Sequence, residues 1–139
     1  MEPTFESGEY VIVDEISYRF REPERDEVII FKYPKNPSKF FIKRIVGLPT
    51  ETVEIKNNSV FIIDTEGKIL EIDDSYIQSQ TDGDMKITLK ENEYFVLGDN
   101  RPVSSDSRRW GALPRDLIVG RALIRFLPIT RIEFLPGNF

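Results

Sequence analysis

A mainly β fold, an antiparallel barrel or sandwich, is what this chain predicts, and three observations predict it. β-Branched and aromatic residues are abundant, with 17 Ile, 9 Val and 16 aromatics among 139 residues. Ala, the strongest helix former, occurs only twice, at Ala112 and Ala122. Short apolar runs follow one another with turn residues between them, the pattern of an all-β domain.

The runs can be taken in order. Glu9–Asp14 and Glu27–Tyr33 read as the first two strands. Pro34-Lys-Asn-Pro37 breaks the chain, because proline fixes φ and removes a ladder donor. Phe40–Val46 follows and ends at Gly47-Leu-Pro49. Thr52–Ile55, Ser59–Ile63, Met85–Leu89, Tyr94–Leu97 and Leu117–Phe126 complete the set. No 3.6-residue stripe longer than about ten residues interrupts them. The length suits one domain with at most a small insert.

Charge and composition exclude much chemistry. There is no His and no Cys, which rules out a Ser-His-Asp triad, a Cys-His dyad, a disulfide framework and a thiolate metal site. Acid–base work falls to Lys, Asp, Glu, Tyr or a hydroxyl. Net charge is −5 and the pI about 4.9, unlike the basic footprint of a nucleic-acid module. No apolar run approaches the roughly 18 residues needed to span a bilayer. Residues 64–84 hold seven acids and one Lys, and read as a solvated excursion within an insert at about 56–90. Residues 101–131 hold seven Arg and two Asp, either an ordinary surface or one suited to anionic lipid headgroups.

Three places could carry chemistry. Alternate residues of a strand share a face, so Lys43 lies with Phe41 and Ile45 on an apolar strip. Such a lysine either snorkels to water or is desolvated, and a desolvated amine is a competent general base. In Leu97–Gly111 a Gly98-Asp-Asn100 turn is followed by a dense set of hydroxyls, one carboxylate and three Arg around Trp110; Asp106 and Arg108 can pair there and fix Ser104 and Ser105. The same composition also suits a loop that caps its own backbone. Met1-Glu-Pro-Thr-Phe5 says little alone.

Together these blocks resemble the bacterial type I signal peptidases, membrane-anchored serine/lysine proteases. Met1-Glu-Pro-Thr-Phe5 is similar to the family's Ser-Met-x-Pro-Thr-Leu block without its first residue. Glu27–Pro34 resembles the second block, and Ile42–Pro49 the Lys-Arg-x-x-Gly-x-Pro block. Gly98–Gly111 resembles Gly-Asp-Asn-Arg-x-x-Ser-x-Asp-Ser-Arg-x-Trp-Gly.

The resemblance implies a barrel-like, two-sheet signal-peptidase fold with a small β insert. Residues 1–55 and 91–139 would form the catalytic β domain and 56–90 a reduced second domain. It implies that Lys43 is the general base and Ser104 its orienting hydroxyl, with Gly98, Asn100, Asp106 and Arg108 supporting the loop. Met1, Phe5, Val11, Ile30, Phe41 and Ile42 would bind the signal peptide of an exported preprotein. No metal or organic cofactor is implied. The setting would be the cell membrane, with the domain on the extracytoplasmic side and its anchor outside these residues.

The resemblance also puts the nucleophilic serine immediately before Met1, so these 139 residues by themselves are expected to be inert. The alternative is a signal-peptidase-like domain that binds exported peptides without cutting. Asp26-Glu27 and Thr50-Glu51 stand where the family has Gly-Asp, and Val103 where Asn is common. If the turn after Pro49 needs positive φ, Thr50 strains it.

Overall fold

The computed structural model describes the chain except residues 3, 5–9, 76, 78, 79, 127–131 and 135–139; for 124–126 and 132–134 it describes backbone alone. Eleven strands are present among the described residues. They are β1 (Tyr10–Asp14), β2 (Val28–Tyr33), β3 (Asn36–Gly47), β4 (Thr52–Lys56), β5 (Ser59–Ile63), β6 (Ile69–Glu71), β7 (Met85–Thr88), β8 (Glu93–Leu97), β9 (Leu113–Pro114), β10 (Ile118–Phe126) and β11 (Ile132–Phe134). One helical turn, α1 (Ser107–Trp110), joins three short 3₁₀ turns. Seven strands form a sheet in the order β1-β10-β2-β3-β8-β9, with β11 also paired to β10. The other four form a second sheet, β6-β5-β4-β7. Every pairing is antiparallel. The mainly β, two-sheet expectation holds.

β3 begins at Asn36 rather than Phe40, carrying Pro37 within it. The break still occurs, but as a tight turn at Pro34-Lys35. Beyond Lys32↔Phe40 the register shifts, so that Tyr33 faces Asn36. Pro37 therefore occupies an irregular, exposed end where its missing donor is tolerated. β6 has three exposed residues and no alternation to announce it. The second sheet includes Thr52–Lys56 as well as strands drawn from 56–90.

β8 shows why the two sheets cohere. Phe95 and Leu97 face one cluster, with Val46, Val53, Ile55 and Ile62 across the two sheets. Tyr94 and Val96 face another, with Ile29, Phe31 and Ile45. A strand buried on both faces must be apolar throughout, and Tyr-Phe-Val-Leu is. Gly47 lets the sheets meet: a Cβ there would lie 2.6 Å from Val53 Cγ2. A smaller cluster around Val28 and Ala122 covers the opposite face of β2 and β3.

Candidate active site

β3 decides which side of the sheet each basic residue takes. Ile29 is opposite Lys43 and Phe31 is opposite Phe41, so Lys43 lies on the Ile29, Phe31 and Ile45 face. Its ammonium nitrogen stands 5.6 Å from the Phe41 ring centroid. Burial pushes the Lys43 ammonium below its ordinary value, against the pull of the Asp106 and Asp99 carboxylates. Of the two sequence readings, the desolvated amine describes the structure better than the snorkelling one.

Arg44 takes the other face and is buried. Two consecutive cations on a strand cannot share one side, so one must enter the molecule with a partner. The partner is Asp99: Arg44 Nε donates to Oδ1 at 3.0 Å and Nη2 to Oδ2 at 2.8 Å. Arg44 Nη1 also donates to the Asp26 carbonyl at 3.0 Å. Thr4 Oγ1 donates to the same Asp99 carboxylate. This network ties the start of the chain to β3 and to the turn after β8. The α-amino group of Met1 is pushed down by burial and then by the charge of Lys43, and the Met1 side chain packs on the same Val28–Ala122 cluster as Ile42, the residue before Lys43.

The turn after β8 is built around Gly98. Its N–H donates to Asp106 Oδ2 at 3.1 Å, and its carbonyl accepts from Arg101 Nε at 2.9 Å. A Cβ on Gly98 would lie 2.0 Å from Ser104 Oγ and 3.6 Å from Lys43 Cδ. Ser104 and Lys43 thus flank one point. Ser104 Oγ is buried and makes no hydrogen bond, which leaves its donor and acceptor unpartnered beside Gly98.

Asp106 holds the loop's shape. It caps α1 by accepting from the Arg108 N–H at 3.2 Å, and it pairs with Arg108 Nε and Nη2, each at 2.9 Å. Arg108 Nη2 also donates to the Arg101 carbonyl at 2.6 Å. Ser107 Oγ accepts from the Val96 N–H at 3.0 Å, fixing α1 against β8. Asn100 precedes the 3₁₀ turn Arg101–Val103, and its carbonyl accepts from the Val103 N–H at 3.3 Å.

The structure therefore brings Lys43, Gly98, Ser104, Asp106 and Arg108 together. The expected peptide-contacting residues divide. Met1, Val11, Ile30 and Ile42 gather against Val28 and Ala122 on one face of the sheet. Phe41 lies on the Lys43 face, stacked on Tyr33 at 4.5 Å and packed near Phe31 at 6.2 Å between ring centroids. Phe5 lies outside the described residues.

Sequence reasoning gave no role to Thr4, Arg44, Asp99 or Arg101. The signal available was the Lys43-Arg44 pair itself, since an inward Arg demands an acid. It also read 64–84 as solvated, yet Ile72 and Thr81 are buried and Asp74 pairs with Arg101 at 3.1 Å.

Comparison with known proteins agrees with this geometry. A family described as "Signal peptidase, peptidase S26" matches residues 1–127. A "Probable signal peptidase I-2" of Synechocystis sp. is 39% identical over 99% of this chain and 64% of its own length. A "Signal peptidase I" of Leptolyngbya laminosa is 43% identical over 95% of this chain and 66% of its own. The chain thus spans slightly less than two thirds of each of these two relatives. A crystal structure of a signal peptidase I from Enterococcus faecalis V583 superposes with a TM-score of 0.60 at 32% identity, covering 73% of this chain and 97% of that one.

Proposed function

The chain belongs to the signal peptidase family, peptidase S26, and on that premise we propose that it is the catalytic portion of a signal peptidase I. The reaction is endoproteolysis of signal peptides on exported preproteins by a Ser/Lys dyad. The observation that carries the reading is the pairing of a desolvated lysine with an unpartnered buried hydroxyl: Lys43 and Ser104 flank Gly98, and burial favours the neutral amine.

In this mechanism the serine stands immediately before Met1, whose side chain packs on the same cluster as Ile42, the neighbour of Lys43. Lys43 takes the serine proton as the oxygen attacks the scissile carbonyl. The ammonium then delivers that proton to the leaving amine as the C–N bond breaks. A water deprotonated by Lys43 next hydrolyses the acyl-enzyme. Ser104, whose hydroxyl is unpartnered in this structure, is the group assigned to orient the Lys43 nitrogen. Gly98, Asn100, Asp106 and Arg108 hold the loop that presents Ser104. No histidine is needed, consistent with the composition.

Met1, Phe5, Val11, Ile30 and Ile42 are assigned to the groove for the small residues before the cleavage point, and Phe41 to the wall beside Lys43. Residues 1–55 and 91–139 carry the chemistry, and 56–90 form the variable insert. The working surface is the membrane, on its extracytoplasmic side. No helix among the described residues is long and apolar enough to cross a membrane.

The test is cleavage of a preprotein by a chain carrying serine directly before Met1. Cleavage should occur, should vanish with Lys43→Ala, and should fall sharply with Ser104→Ala. Undiminished cleavage by Lys43→Ala would overturn the Ser/Lys mechanism.

A further inference from the structure

We propose that the acidic excursion braces the catalytic loop, with Asp74 as a positioning residue that acts through Arg101 on Gly98 and Ser104. The proposal rests on the reading of Lys43 and Ser104 given above.

Arg101 is 1% exposed. A guanidinium removed from water needs both charge compensation and filled hydrogen bonds. Its compensation comes from Asp74, 27 residues away in sequence. Nη1 donates to Asp74 Oδ2 and Nη2 to Oδ1, both at 3.1 Å, a two-pronged grip that fixes the plane of the group. Nη1 also donates to Thr81 Oγ1, itself buried and from the same excursion.

The Nε donor reaches the reactive end. Arg101 Nε bonds the Gly98 carbonyl, while Asp106 takes the Gly98 N–H. Gly98 is held at both polar groups, and Ser104 fits only because Gly98 has no Cβ. The Arg101 carbonyl receives Arg108, which pairs with Asp106. The contacts close a ring of Gly98, Arg101, Asp106 and Arg108, and Asp74 and Thr81 tie that ring to the excursion through Arg101.

The neighbouring acids behave differently. Asp64 accepts from the backbone N–H groups of Glu66 and Lys68, and Asp73 from that of Ser75, each within its own turn. Among the described ion pairs, Asp74 is the acid of this stretch that pairs with a cation outside it. Without it, a buried cation is left uncompensated. Arg101 must then swing to water, carrying the Gly98 carbonyl away from Ser104 and Lys43.

Two readouts test this. The first uses the 139-residue chain itself: amide exchange at Gly98 and NMR titration of Lys43. The second is cleavage by the serine-bearing chain. Asp74→Asn should speed Gly98 exchange about tenfold or more, the scale expected for losing a buried charge partner. It should also move the Lys43 titration up toward ordinary lysine as water enters. In the serine-bearing chain, kcat should fall while KM holds. Asp74→Glu should restore part of each. Asp82→Asn removes the same charge from an exposed site and should change none. If Asp74→Asn does not fold, Thr81→Val keeps the charge pair and should still speed Gly98 exchange. Parent-like Gly98 exchange and Lys43 titration in the folded variant overturn the brace. A serine-bearing parent that never cleaves overturns the Ser/Lys reading instead, and the exchange data still decide the brace.

Discussion

A Cβ on Gly98 would lie 2.0 Å from Ser104 Oγ and 2.5 Å from Ser104 Cβ. Glycine here is therefore a requirement of close approach. Gly98→Ala should displace Ser104, lower stability by about 1–3 kcal/mol, the usual range for overpacking, and remove cleavage by the serine-bearing chain. Thermal melts and preprotein assays check both. A folded, fully active Gly98→Ala variant would show that Ser104 has no fixed place in the reaction.

Lys43 opposes folding while it serves chemistry. Its folded pKa lies below its ordinary value, so between the two the unfolded chain binds more protons and stability rises with pH. Below the folded value the penalty is complete. Lys43→Met should raise the melting temperature in that acidic range and lose its advantage as pH climbs toward the ordinary lysine value, about 10.4. Melts across a pH series read this directly. Cleavage by the serine-bearing parent should increase with pH through the same folded titration.

Arg44 and Asp99 are both buried and joined by two hydrogen bonds. Asp99→Ala leaves a buried guanidinium, an error costing about 3–5 kcal/mol. Arg44→Met with Asp99→Leu removes both charges and should recover most of that loss. Urea unfolding of the single and double variants gives the comparison. A double variant as unstable as Asp99→Ala would mean that packing around the pair, rather than its charge, dominates.

Thr50 has φ of +72° and Asp26 of +70°. Threonine is β-branched and resists this region, whereas Asp tolerates it. Thr50→Gly should stabilise by about 1 kcal/mol through relieved strain, less the entropy that glycine returns to the unfolded chain. Asp26→Gly should gain less. Chemical denaturation of the two variants ranks them.

The strands with alternating or continuous apolar residues were legible in the sequence: Ser59–Ile63 has the expected bounds, and Val28–Tyr33 and Thr52–Lys56 differ by one residue. β6 and β9 were not, because three exposed residues and two isolated ones carry no period. At the site, Lys43, Ser104, Asp106 and Arg108 could be singled out because their blocks are compact. The strain at Thr50 was also foreseeable from the glycine it replaces. Asp74 could not be found this way. Its neighbours in sequence are acids that cap their own turns, and nothing local distinguishes the one that reaches a buried Arg in another segment.

The strand order has a consequence for biogenesis. β10 lies between β1 and β2, so Tyr10 pairs with Phe126 and Ile29 with Arg121. During synthesis β1 waits for β10 to leave the ribosome before the two can pair, and pairings this distant in sequence form slowly. The sheet that carries Lys43 therefore closes only once β10 has been made, after its earlier strands have already been exposed.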